Sequence, residues 1–128
     1  MKPVTHEWIE KAEGDFATAK RELRARKMPN YDAVCFHAQQ SAEKYLKALL
    51  QEYSTPFAKT HDLGHLLDLL EPIDPFILTF RKLADSLNDY AVIYRYPGES
   101  ADKDEARKAF NNCRKIREVC RQKLGLDL

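Results

Sequence analysis

Apolar residues return every three or four positions along most of this chain. Nowhere do they alternate with polar ones over a sustained run, so the pattern is helical throughout. Trp8, Ala12, Phe16, Ala19 and Leu23 recur at spacings of four, four, three and four, which predicts a first helix from about Thr5 to Lys27. Thr5 is its expected N-cap. The run from Arg21 to Lys27 places cations at its C-terminus, where the helix macrodipole favours them. Pro29-Asn30 then breaks the helix, and Asn30 is expected to cap the next one.

The second helix, Asn30 to Tyr53, has two unlike sides. At about 100° per residue, Val34, Cys35, Ala38, Ser41, Ala42, Tyr45, Leu46, Ala48 and Leu49 fill one half of the cylinder. His37, Gln40, Lys44, Lys47 and Gln51 fall within about 80° of one another on the other half. The apolar half is wider than a surface helix needs, so this helix belongs in the centre. The polar strip holds one imidazole, two carboxamides and two ammonium groups with no acid among them. Such a strip suits a phosphate; it equally describes a solvated face.

Beyond a loop at 54–59, Thr60 is expected to cap a short helix, HDLGHLLDLLE, that stops before Pro72. Asp74-Pro75 reads as a restart, an acidic cap followed by proline at the first helical position. The fourth helix then runs to about Tyr94, with Phe76, Phe80, Leu83, Leu87, Ala91 and Tyr94 inward. Arg95-Tyr96-Pro97-Gly98 ends it. Asp102 and Glu105 form a capping-box pattern for the last helix, whose stripe is Ala106, Ala109, Phe110, Cys113, Ile116, Cys120 and Leu124. Four long helices and one short one, joined by short connections, predict an all-α chain: an antiparallel up-and-down four-helix bundle with one additional short helix, in a single domain over 1–128.

At 128 residues the chain is long enough to bury a real core. Its formal charge of +1 excludes bulk polyelectrolyte behaviour, so any nucleic-acid contact must come from a local patch. No apolar run approaches the length of a bilayer span, and Met1-Lys2-Pro3 leads straight into a charged helix, so a cytoplasmic protein without membrane contact is expected. Three cysteines cannot all pair within one chain. Cys113 and Cys120 lie seven apart on one helix face, about 10 Å along the axis and beyond disulfide reach. Buried thiols packing as small hydrophobes are expected. His61 and His65 have the i, i+4 spacing of two metal ligands, but no Glu follows His61 and no third ligand is spaced to join them, so neither a metal nor another cofactor is expected.

Several strings together resemble a known family. They are Trp8 with Asp15 in the first helix, Cys35-Phe36-His37-Ala38-Gln39-Gln40-Ser41-Ala42-Glu43-Lys44 and Leu46-Lys47-Ala48-Leu49-Leu50 in the second, Lys59-Thr60-His61-Asp62-Leu63 at the third, and Tyr94-Arg95-Tyr96-Pro97 after the fourth. In this order they resemble the HEPN family (higher eukaryotes and prokaryotes nucleotide-binding), which is similar in part to the C-terminal helical domain of kanamycin nucleotidyltransferase. The resemblance covers nearly the whole chain. It implies a four-helix bundle that is usually a homodimer, and it implies a partner, a separately encoded minimal nucleotidyltransferase in a toxin–antitoxin-like pair. Many members are metal-independent RNases whose signature is an arginine followed, after four to six intervening residues, by a histidine. That signature is missing: no arginine here has a histidine five to seven positions further along.

The candidate site is therefore a nucleotide- or phosphate-binding one: His37, Gln40, Lys44 and Lys47 from the second helix, with the Arg95 guanidinium able to hold two phosphate oxygens at once. Asp15, His61, Asp62 and Tyr96 are supporting residues. Asp15 is expected to meet Arg95 or Lys44 across the bundle as a structural pair, and Asp62 to sit favourably beside a helix start. His37 offers an imidazole but has no adjacent nucleophile, so no catalytic residue is assigned. Three functions compete: a module that binds a nucleotide or the nucleotidyltransferase, an RNase toxin with a degenerate site built on Arg95 and His37 or His61, and a structural adaptor.

Overall fold

Helix α2 (Tyr31–Glu52) stands in the middle, touching each of the other helices: α1 (Pro3–Arg24), α3 (Leu63–Leu70), α4 (Arg81–Ile93) and α5 (Lys103–Lys123). This is a computed structural model, and it describes residues 1–128. Thirteen of the 22 residues in α2 are buried, as its wide apolar half requires. Asn30 caps it, its side chain accepting the Ala33 amide at 3.0 Å.

The contacts along α2 give the directions of its neighbours. Glu52 accepts from the Lys2 amide and the Thr5 hydroxyl, Ser41 donates to the Ala12 carbonyl, and His37 meets Asp15, so α1 runs antiparallel to α2. Asp32 accepts the Ala101 amide and Tyr45 accepts from Arg121, so α5 runs parallel to α2. The end of α4 lies beside the start of α2, where Tyr94 and Arg95 share a cleft with Phe36 and His37. The result is the expected up-and-down bundle with one extra short helix.

Tyr45, Leu46, Leu49 and Leu50 of α2, Leu63, Leu66, Leu67 and Leu70 of α3, Leu87 of α4 and Ile116 of α5 are fully buried together. All three cysteines are buried and free. Burial pushes the Cys35 and Cys113 thiols up to about 12, which leaves them as packing groups rather than nucleophiles. A polar clasp joins α1, α2 and α5. Arg117 donates two 2.8 Å bonds to the Glu13 carboxylate and lies 4.5 Å over the Phe16 ring. Burial alone would raise the Glu13 carboxyl, but hydrogen bonds from Arg117 and Tyr45 and the charges of Arg117 and Arg121 outweigh it and hold that carboxyl below its usual range.

Several boundaries differ from the sequence expectation, each for a local reason. Thr5 does not cap α1: the helix starts at Pro3, suited to a first helical position, and Thr5 is buried with its hydroxyl on Glu52. The C-terminus of α1 is at Arg24 rather than Lys27, and Met28 beyond it has a left-handed φ of 49°. Asp62, not Thr60, caps α3, accepting the Gly64 amide at 2.9 Å. His61 therefore precedes that helix, and the i, i+4 pairing with His65 is not formed. Residues Pro75–Phe80 make a 3₁₀ turn before α4. Side chains three apart eclipse in that geometry, so Ile77 and Phe80 turn inward and Phe76, expected inside, is 59% exposed.

Candidate functional site

The polar residues of α2 do not form one continuous basic ridge. They are divided between two carboxylates, each shared by a lysine and a histidine. Asp15 of α1 accepts from Lys44 at 2.5 Å through one oxygen and meets His37 Nδ1 at 2.8 Å through the other. Glu43, one turn before Lys47, accepts the Lys47 ammonium at 3.0 Å and meets His61 Nδ1 at 2.8 Å. A carboxylate only accepts, so Nδ1 carries the proton in both rings. Each imidazole therefore turns its Nε2 away from its acid.

The two clusters differ in depth. Glu43 and Lys47 are buried, with the Lys47 ammonium 5.4 Å from the Trp8 ring centroid and 5.8 Å from that of Phe57. That lysine ties α1 and the 53–60 loop to α2 and does not reach solvent. This corrects its place on the polar strip: the strip's edge is roofed by Trp8 and Phe57, which a projection of α2 alone does not include. Lys44 stays half-buried at the surface, bound to Asp15, which is the cross-bundle pair expected for that acid.

Arg95 sits just past the C-terminus of α4, exposed and with no acid in ion-pair range. Two clefts meet at it. One, of ≈ 310 Å³, is lined by Phe36, His37, Asp32, Ala91 and Tyr94. The other, of ≈ 360 Å³, is lined by Gln39, His61, Asp62, Asn88, Ala91 and Val92. Two acids line these clefts, and each accepts from amides rather than pairing with Arg95. Asp32 accepts the Ala101 amide at 2.7 Å, and Asp62 accepts the Gly64 amide and the Asn88 carboxamide at 2.9 and 3.0 Å. The guanidinium forms no ion pair of its own, so its paired donors are open to a ligand that brings oxygens.

Of the residues expected at the site, His37, His61 and Asp62 line these clefts with Arg95. Gln40 stands behind them, its amide donating to Gln39 at 2.8 Å. Lys44 and Asp15 line a separate open hollow with Glu7, Glu10 and Lys11, on the other side of His37. Tyr96 is 64% exposed and lines neither cleft. The bundle thus gathers the histidines around Arg95 and takes the lysines away from it.

Three polar residues of the site were not anticipated. Gln39 is buried and donates to the His61 carbonyl at 2.7 Å, Glu43 holds the His61 ring, and Asn88 accepts the Leu63 amide and donates to Asp62. The available signal was that Gln39 and Glu43, four apart, fall between the polar strip and the apolar half, where a helix this apolar should carry hydrophobes. No group of three His, Cys, Asp or Glu side chains is gathered closely enough to hold a metal ion. No helix is long and apolar enough to cross a membrane.

The HEPN domain family profile matches residues 5–123. Among solved structures, an archaeal HEPN homologue, ST0689, is similar at a TM-score of 0.76 and 25% identity, over 96% of this chain and 98% of that one. TT1696 from Thermus thermophilus is similar at a TM-score of 0.74 and 27% identity, over 93% and 97%. No curated protein matches the chain.

Proposed function

This chain belongs to the HEPN domain family, and on that premise we propose that it is a binding module that holds a nucleotide phosphate at Arg95. The observation that carries this reading is the guanidinium without an ion pair where two clefts meet. Arg95 would take two phosphate oxygens, and His37 and His61 would approach from opposite sides through their Nε2 atoms. Asn88 and Gln39 supply the neutral polar groups that orient a base or sugar.

The module is proposed to act as a cytoplasmic homodimer beside a separately encoded minimal nucleotidyltransferase, in a toxin–antitoxin-like pair. Phe36, Val92, Ile93 and Tyr96 are exposed apolar side chains around Arg95 and suit a protein interface there. The test is calorimetric titration with AMP, ATP and GTP. Arg95→Ala should weaken binding at least tenfold, about 1.4 kcal/mol, and Arg95→Lys should recover only part of it. Equal affinity in wild type and Arg95→Ala would end this reading.

One observation favours a second reading. An imidazole stands on each side of Arg95 with its Nδ1 held by a carboxylate, an arrangement that suits a base, an acid and a cation for attack by an RNA 2′-hydroxyl. The family's linear Arg–His spacing is missing, yet the fold brings these types together in space. RNA cleavage in the presence of chelator, lost in both Arg95→Ala and His37→Ala, would replace the binding reading with this one.

A further inference from the structure

At the end of the bundle where α1 finishes and α2 and α5 begin, a cleft of ≈ 610 Å³ is lined by Arg24, Arg26, Lys103 and Arg107, together with Leu23 and Tyr31. All four cations are exposed, and no acid lines the cleft. The acids nearby in sequence lie outside the cleft lining and accept from backbone amides. Glu22 accepts the Asn30 amide at 2.9 Å, Asp32 accepts that of Ala101, and Asp102 and Glu105 close the capping box of α5. Only Asp104 faces a cation of the cleft, Arg107, across an exposed 3.3 Å contact of the kind that water screens well.

Several cations elsewhere are paired. Arg81, Arg114, Arg117, Arg121 and Lys123 each face an acid. Here four exposed cations share one cleft whose lining contains no acid, and Arg21 and Lys27 lie nearby in sequence. A row of cations along an open cleft matches a polymer with a charge at every repeat. Tyr31 lines the same cleft and is the type of side chain on which an unpaired base stacks.

We infer that this cleft binds the phosphodiester backbone of single-stranded nucleic acid, at a site separate from Arg95. The inference stands without nucleotide binding at Arg95. The two sites are nevertheless neighbours across the start of α2: Tyr31 lines the basic cleft, and Asn30 lines the one that holds His37 and Arg95. A strand seated on the basic end has a short path to the histidines.

The test is fluorescence anisotropy of labelled 20-nucleotide uridine and thymidine oligomers over a salt series. Wild-type affinity should fall linearly with log salt. The variant Arg24→Ala/Arg26→Ala/Lys103→Ala/Arg107→Ala should bind on the order of a hundredfold more weakly at low salt, with the slope flatter by about 0.7 per cation, roughly 3 in all. Tyr31→Leu, which keeps an apolar group against the core, should weaken binding about tenfold and leave the slope unchanged. Lys82→Ala/Lys115→Ala removes exposed cations from other faces and should bind as wild type does. Circular dichroism confirms that each variant is folded. Equal binding by the quadruple variant, an equal loss in the Lys82/Lys115 variant, or competition by polyglutamate as strong as that by RNA would overturn the inference.

Discussion

Asp15 and Glu43 do the same thing with opposite consequences. Each carboxylate takes a lysine on one oxygen and a histidine Nδ1 on the other. Around Glu43 the lysine is buried and the His61 side chain is 78% exposed. Around Asp15 the lysine and the histidine are 22% and 28% exposed, so neither is hidden and neither is free. The Glu43 cluster is thus a strut with a functional group at its outer end, while the Asp15 cluster is a surface pair that orients a ring. The same three chemical groups give stability in one place and positioning in the other, and depth decides which.

The largest effect should come from breaking the deeper cluster on one side. Glu43→Ala leaves the Lys47 ammonium buried and unpaired, which should cost about 3–5 kcal/mol, a drop on the order of 10 °C in Tm for a domain of this size. Replacing both partners, as Glu43→Leu/Lys47→Met, should recover most of that loss in the same thermal melt, since an apolar pair of similar volume needs no compensation. Asp15→Ala should cost less, about 1–2 kcal/mol, because Lys44 and His37 can turn to water. Denaturant unfolding of the two single variants side by side would fail the comparison if Asp15→Ala were the more damaging.

Glu13 extends the series to a carboxylate that meets arginines and a tyrosine but no histidine. Its carboxyl is held below the usual range in the folded protein, so its contribution is present above the unfolded value near 4.5 and is lost as pH falls through the folded value. Glu13→Gln should lower Tm by a few degrees at pH 7, and the gap from wild type should close as melts are run at progressively lower pH below 4.5. Lys44→Ala should have the smallest effect, about 0.5 kcal/mol or less, with nucleotide affinity at Arg95 little changed.

The bundle is legible in the sequence because periodicity reports which face of a helix is buried, and in α2 and α5 that face is continuous. The Asp102–Glu105 capping box is equally legible, since both partners are local. Thr60 misleads because Asp62 close by has the same cap chemistry, and Thr5 misleads because α1 starts at Pro3 with no side-chain cap while the Thr5 hydroxyl is taken by Glu52. Arg95 and His37 are found at the site because both flank the meeting of α2 and α4. Lys47 falls on a polar strip in projection because the residues that cover it, Trp8 and Phe57, lie 39 positions before it and ten after it in the chain. Glu43 escapes notice for a related reason: a buried acid is intelligible only once both of its cations are known, and His61 arrives from a different segment.

Ala91 is buried at 8% exposure and contributes to the floor of both clefts beside Arg95. A heavier side chain there would take up space that the methyl group leaves open where the hollows adjoin. Descendants of the sequence could thus retune their choice of guest by one apolar substitution while every charged partner stayed in place.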